Sequence, residues 1–327
     1  MILILSAYLD HSTIEVTDWL FYFEKDFKRL NGYEFRDSKL PYRLASTPTG
    51  KEIFIDNIDL DNVQSVWYRR WIPYDESFKD ALNEFEFASS NDAAVIKRHM
   101  VAEMRKSYRP FFSYLEQKLG SKCLPRFSSA AVDKIEVLLT ADALGLKTPE
   151  WVICNTKSAL VEFSKKHSSI ITKPLGEVTN YKESANTLKY VRTEIVKETT
   201  IDEMPESFFP SFFQEYIDKN IEIRSFFLEG KFYSMAIFSQ LDSKTKVDFR
   251  NYNDEHPNRN VPFQLPNFIE EKLARLMDKI NLNTGSIDLI LNNKGDFYFL
   301  EVNPVGQFGM TSKPCNYYLE KKIAELL

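Results

Sequence analysis

A mixed α/β (α+β) protein of two or three domains is predicted by three features of the chain. It opens on a short apolar run, Ile2 to Ala7, that reads as a buried strand. Helix-spaced and strand-like segments alternate through its middle. Its last third is rich in β runs joined by tight turns. A length of 327 residues exceeds one ordinary core. An apolar fraction of 43% with 27% charged residues is that of a soluble globular protein, and a net charge of −5 argues against general nucleic-acid binding. The opening run lacks a basic flank and no later apolar run has the length of a membrane span, so no membrane partner and a cytoplasmic location are expected. Cys123, Cys154 and Cys315 have neither metal-ligand nor paired spacing, which predicts reduced thiols, and 4 scattered histidines argue against zinc.

The elements follow in order. Thr17 and Asp18 can cap a helix carrying Trp19, Phe23, Phe27 and Leu30 at helical spacing. Glu52 to Asp56 and Val63 to Tyr68 are β-rich, so residues 1 to about 72 form a small α/β unit. Residues 75 to 119 look mainly helical, first acidic (Asp75 to Glu86), then basic (Lys97 to Arg109); this asymmetry also fits two solvated faces. Asp133 to Leu144 is a helix closed by Gly145. Strands are expected at Trp151 to Cys154, Ile170 to Lys173, Leu188 to Val191, Phe212 to Ile217, Glu222 to Leu228 and Lys231 to Phe238, the last two joined at Glu229-Gly230. Helices are expected at Ser158 to Lys166, Phe268 to Ile280 and Tyr317 to Leu327.

The most informative segment runs from Gly285 to Pro304. If Asn292 and Phe297 close a hairpin around four turn residues, Asp288 falls opposite Glu301, where like charges about 5 Å apart are unfavourable unless a cation sits between them. Asn303 follows Glu301 by two residues and shares its face of the strand. Three hard oxygen donors suit magnesium. The spacing alone leaves two readings open, a metal site and a surface hairpin with solvated acids.

These residues, Asp288 and the run Phe299 to Pro304, resemble the metal-binding end of the ATP-grasp ligases. The resemblance implies a three-domain ATP-grasp fold, with a small N-terminal α/β domain that also binds peptide (1–125), a central lobe (126–210) and a C-terminal lobe carrying the metal site (211–327), the two lobes clasping ATP. It implies that Asp288, Glu301 and Asn303 hold Mg2+, that Lys134 and Lys173 reach the nucleotide phosphates, and that Gln214, Glu215, Tyr216 and Ile217 form the hinge that meets the adenine. Glu222 and Arg224 match the family's Asp-x-Arg with Glu for Asp, and Glu222 is implied in nucleotide binding. Arg224 and Arg250, the latter in Asp248-Phe249-Arg250, are implied as catalytic, facing the phosphoryl group. The loop from Leu175 to Tyr181 departs from the pattern, with only Gly176 where several glycines usually cradle phosphate; Thr179 and Asn180 are candidate substitutes.

Two further parts of the chain, Val66 to Trp71 and, at the end, Glu301 to Gly309 with Ser312 to Lys322, resemble the peptide-maturing ATP-grasp ligases of the graspetide (microviridin-like) group, most closely its branch paired with a radical-SPASM enzyme. That implies a ribosomal precursor peptide as partner, with a leader and an acidic core. Asp or Glu side chains of the core would be phosphorylated and closed onto Thr, Ser or Lys. Arg69, Arg70 and the basic stretch from Lys97 to Arg109 are candidates to bind that peptide by charge; a buried strand with a structural salt bridge is the competing view of Arg69. A homodimer and a radical-SPASM partner are further implied. An amino-acid ligase of the glutathione-synthetase or ribosomal-protein glutamate-ligase kind shares the motifs from Lys134 to Asn303, and a binding module without turnover is the third reading.

Overall fold

The computed structural model describes residues 1–36, 40–48, 50–69, 71, 89–176, 180–184, 187–190, 193–240 and 257–327. The expected acidic stretch from Asp75 to Glu86, Arg70, Thr179 and the Asp248 to Arg250 segment lie outside them. The chain divides into two compact units, one of Met1–Ala131, Asn281–Gly285 and Pro304–Leu327, the other of Val132–Ile280 and Ser286–Asn303. Among the described residues no helix is long and apolar enough to cross a membrane, and all three cysteines are free thiols.

The first unit begins with β1 (Ile2–Ser6), α1 (His11–Tyr22), β2 (Phe27–Asn31), α2 (Gly32–Arg36), β3 (Tyr42–Thr47), β4 (Gly50–Ile55), β5 (Ile58–Asp59), β6 (Ser65–Tyr68), α3 (Ser90–Leu119) and β7 (Cys123–Leu124). Strands β2, β1, β6 and β7 pair in that order, all parallel. Every residue of β1 is buried, as a strand inside a parallel sheet requires. Strands β3, β4 and β5 form a separate antiparallel sheet. Helix α3 is capped by Ser89, whose hydroxyl accepts from the Asp92 N–H at 3.1 Å, and Tyr108, Phe111, Phe112 and Leu115 put one helical stripe into the core.

The helix expected after Thr17 and Asp18 is displaced. Helix α1 starts at His11, capped by Asp10, whose carboxylate accepts from the Ser12 N–H at 3.2 Å, and it has ended by Phe23. Phe27 and Leu30 lie on β2, paired with β1. The buried face of α1 is Ser12, Thr13, Val16, Thr17 and Leu20, small and partly polar, while Phe21 and Tyr22 are exposed. The aromatic spacing followed the wrong face across a helix end.

The second unit holds α4 (Lys134–Ala143), β8 (Trp151–Thr156), α5 (Lys157–Ser164), β9 (Ile170–Thr172), β10 (Asn180–Ser184), β11 (Thr187–Tyr190), β12 (Glu194–Ile195), α6 (Glu198–Glu203), β13 (Ser207–Glu215), β14 (Lys219–Leu228), β15 (Lys231–Phe238), β16 (Arg259–Phe263), α7 (Asn267–Lys279), β17 (Thr284–Asn292) and β18 (Phe297–Asn303). One sheet runs β12-β9-β13-β8, a second runs β16-β15-β14-β17-β18, and β10 pairs with β11. The expected turn between β14 and β15 forms: Leu228 pairs with Lys231, and Glu229 and Gly230 both take positive φ, the pattern of a tight hairpin turn. Ile269, Leu273, Leu276 and Met277 give α7 a buried stripe, each side chain worth about 1.5–3 kcal/mol.

The chain then returns to the first unit through α8 (Gly309–Cys315) and α9 (Leu319–Leu326). Within that unit Lys25 Nζ donates to the Ala324 carbonyl at 2.9 Å and Ser65 Oγ to the Leu327 carbonyl at 2.7 Å, fastening α9 to the N-terminal elements. Helix α8 had no counterpart in the sequence reading; with Gly at its start and Pro inside, its seven residues carry little helical propensity.

Candidate active site

The register of β17 and β18 decides the site. Ile287 pairs with Val302, Asp288 with Glu301 and Ser286 with Asn303, as the sequence predicts. The tip differs. Leu291, not Asn292, closes onto Phe297, leaving five residues in the turn, and the Asn292 carboxamide ties it by accepting from the Lys294 and Asp296 N–H groups, each at 2.9 Å. A straight ladder from that tip would set Asp288 against Leu300. A bulge intervenes: Leu289 pairs with Phe299, and Leu300 and Glu301 both line one pocket, two consecutive residues on one face. In that straight ladder Glu301 would fall opposite Ile287 and point into the core, since a one-residue slip exchanges the faces of a strand.

The two carboxylates are each met by a cation. Arg224 on β14 gives its Nη1 to both oxygens of Asp288, at 3.1 and 3.2 Å. Lys134 Nζ lies 3.1 Å from Glu301 Oε2 and donates to the Pro174 carbonyl at 3.2 Å. Lys134 is the first residue of α4, whose cap Asp133 accepts from the Ile135 and Glu136 N–H groups at 2.8 and 3.0 Å. A lysine there opposes the helix dipole, so its ammonium gains by reaching outward to a carboxylate and a carbonyl.

The same pocket takes in Lys173, Gln214, Glu215, Tyr216, Ile217, Lys219 and Glu222. The Lys173 ammonium lies 5.7 Å from the centre of the Phe212 ring. Gln214 is buried between β8 and β9, paired with Trp151 and Ile171, and its Nε2 has no hydrogen-bond partner among the described residues. A buried donor of this kind costs about 1–3 kcal/mol unless something accepts from it, so it suits a ligand. β13 is an interior strand rather than an edge, and Tyr216 to Asp218 form the short connection from it to β14. The Glu215 N–H already donates to the Glu150 carbonyl at 2.8 Å and the Tyr216 N–H to the Ser169 carbonyl at 3.0 Å. The Glu150 N–H turns to the Glu215 carboxylate at 3.3 Å. The Glu215 and Tyr216 N–H groups are therefore both engaged within the sheet. Burial pushes the Tyr216 phenol up, with Asp218 and Glu222 adding to it.

Lys219 was missed by the sequence reading. It is buried, donates to Glu222 Oε1, and Ser239 Oγ donates to the same oxygen at 2.7 Å. The signal was present: a lysine and a glutamate three residues apart in a run that is otherwise a core strand. Arg224 Nε is buried without a hydrogen-bond partner among the described residues.

Arg69, a candidate for binding peptide by charge, takes the other role weighed for it. It is 3% exposed, pairs with Asp10 at 3.2 Å, donates to the Val305 and Gly306 carbonyls at 3.0 Å each, and lies against the Trp67 and Phe308 rings. On α3 the side chains of Arg98, Lys106 and Arg109 are exposed.

Among the described residues no group of three or more His, Cys, Asp and Glu side chains is placed to hold a metal. Asp288, Glu301 and Asn303 instead offer two carboxylates and a carboxamide from neighbouring positions of one hairpin. That set of hard oxygens fits an ion such as Mg2+, which completes its shell with phosphate oxygens and water.

No protein-family model matches this chain, and no curated protein sequence matches it. Solved structures do. The macrocyclase MdnC of Microcystis aeruginosa MRC, bound with precursor peptide MdnA, is similar over 100% of this chain and 99% of its own, at 26% identity and a TM-score of 0.81. A RiPP-associated ATP-grasp ligase of Chryseobacterium gregarium, in complex with ADP and a leader and core peptide, is similar over 99% and 94%, at 23% identity and a TM-score of 0.80. The macrocyclase MdnB of Microcystis aeruginosa MRC matches over 100% and 98%, at 21% identity and a TM-score of 0.70. The chain has the ATP-grasp ligase fold, and the solved structures it resembles along its whole length include enzymes that mature ribosomal peptides.

Proposed function

We propose that the protein is an ATP-dependent carboxylate ligase that closes macrocyclic links in a ribosomal precursor peptide. The observation that carries the proposal is the opposed Asp288 and Glu301 pair, set by the bulge into the same pocket as the Tyr216 hinge. The full-length likeness to a macrocyclase bound with its precursor peptide supports the substrate class. In this reading ATP lies with its purine at Glu215 to Ile217 and its phosphates toward Lys134 and Lys173, with Glu222 contributing to nucleotide binding. Asp288, Glu301 and Asn303 hold Mg2+, which when bound neutralises phosphate charge as a Lewis acid.

A core Glu or Asp carboxylate takes the γ-phosphoryl group and ADP leaves. A Thr or Ser hydroxyl, or a Lys amine, then attacks the acyl phosphate, loses its proton and expels phosphate, so each link removes one water from the peptide. Arg224, and Arg250 by its motif, stabilise the charge that develops on the transferred group. Arg70 and the exposed cations of α3 attract the acidic core. The proposal includes the division of the chain at 125/126 and 210/211, a homodimer, a radical-SPASM partner in the pathway and a cytoplasmic setting.

Mass spectrometry of the precursor peptide after incubation with protein, ATP and magnesium tests it. Loss of one water mass per link is expected. An unchanged peptide beside ATP turnover on free amino acids would replace this reading by the amino-acid ligase, and absence of turnover on either would favour a binding module.

A further inference from the structure

We propose that Lys134 couples metal binding to nucleotide binding by occupying Glu301 until a phosphate draws its ammonium away. The inference rests on the reading of this pocket as an ATP and Mg2+ site. Lys134 sits on Glu301 and Arg224 on Asp288, so each carboxylate already faces a counter-charge. A divalent cation entering that set without a nucleotide meets two carboxylates that already have counter-charges. Among the described residues the side chains offer too few oxygens to complete its shell. A triphosphate changes both terms, since it supplies the missing oxygens and a competing anion for the ammonium.

The two cations are not equally able to move. Arg224 is 9% exposed and gives one nitrogen to both oxygens of Asp288. Lys134 is 18% exposed, contacts Glu301 through a single ammonium on a flexible four-carbon stem, and rests on the Pro174 carbonyl, one residue past Lys173. Swinging from Glu301 to a phosphate near Lys173 needs side-chain rotation alone. Because linkage is reciprocal, metal must then favour nucleotide by the same factor as nucleotide favours metal.

Manganese as a spectroscopic substitute for magnesium tests the coupling without turnover. Free Mn2+ is read by electron paramagnetic resonance in the presence of the full-length protein and no nucleotide. Lys134→Met should bind Mn2+ about tenfold more tightly than the wild type, a factor within the usual span of site-to-site couplings. Lys134→Arg, which keeps the charge, should stay near the wild type. Lys134→Gln gives the same readout as the Met variant should the latter not fold. Equal or weaker Mn2+ binding by the uncharged variants overturns the coupling. The reading of the pocket fails separately: if Glu301→Gln and Asp288→Asn each leave Mn2+ affinity unchanged in the Lys134→Met background, the carboxylates are not metal ligands at all.

Discussion

Asp10 with Arg69 in the first unit and Asp288 with Arg224 in the second are the same chemical pair, closed at 3.2 and 3.1 Å. Their surroundings differ. Asp10 caps α1 and accepts from Thr13 Oγ1 at 3.2 Å, and Arg69 extends into the Val305 and Gly306 carbonyls between two aromatic rings. Those contacts go into the fold. Asp288 instead faces another carboxylate across a strand pair and lines a pocket. A buried ion pair says little by itself; a second carboxylate opposite it and a pocket beside it tell a working site from a fastening.

Variants can break that contrast. The largest effect is expected from Arg69→Met, which leaves Asp10 charged and buried: about 3–5 kcal/mol of stability should be lost, measured by urea denaturation. A loss under about 1 kcal/mol would mean the pair fastens nothing. Glu301→Gln should lower ligation at least about a hundredfold, near 2.7 kcal/mol in the transition state, with an unchanged urea midpoint. Full activity in that variant would remove the metal role from Glu301. Arg224→Met should cost less than about 2 kcal/mol in stability, because Asp288 opens to pocket water, while lowering ligation more than tenfold. If it unfolds the protein as Arg69→Met does, the two pairs are alike after all. Asp133→Ala, which removes the cap behind Lys134, should cost about 1 kcal/mol, read from the thermal midpoint. Gly230→Ala, at φ +81° in a turn with open space around it, is a control expected to cost about 1 kcal/mol and leave ligation intact.

Much of the second unit was legible because its signals are local. Asp133 caps α4, Gly145 ends that helical run at positive φ, and Glu229-Gly230 turns a hairpin. The opposition of Asp288 and Glu301 was read with the right outcome from an incomplete premise: the tip is one residue longer, and the bulge at Leu300 offsets it. A bulge has no composition of its own in this run, so spacing could not expose it. In the first unit Asp10 was overlooked as a cap because the face it orients carries Ser and Thr rather than large apolar residues. Arg69 was ambiguous for a related reason: whether an arginine on a strand faces solvent or a distant aspartate depends on a partner 59 residues away.

The bulge at Leu300 also makes the hairpin tip modular. Gly295 at the tip has open space around it, and the five residues from Asn292 to Asp296 sit on the far side of the irregularity from Asp288 and Glu301. Grafting an epitope or a fluorophore-bearing loop at the tip should therefore leave the chemistry standing. Excising Leu300 should straighten the ladder and, because Phe299 stays on the core face, keep Glu301 opposite Asp288 on the pocket face.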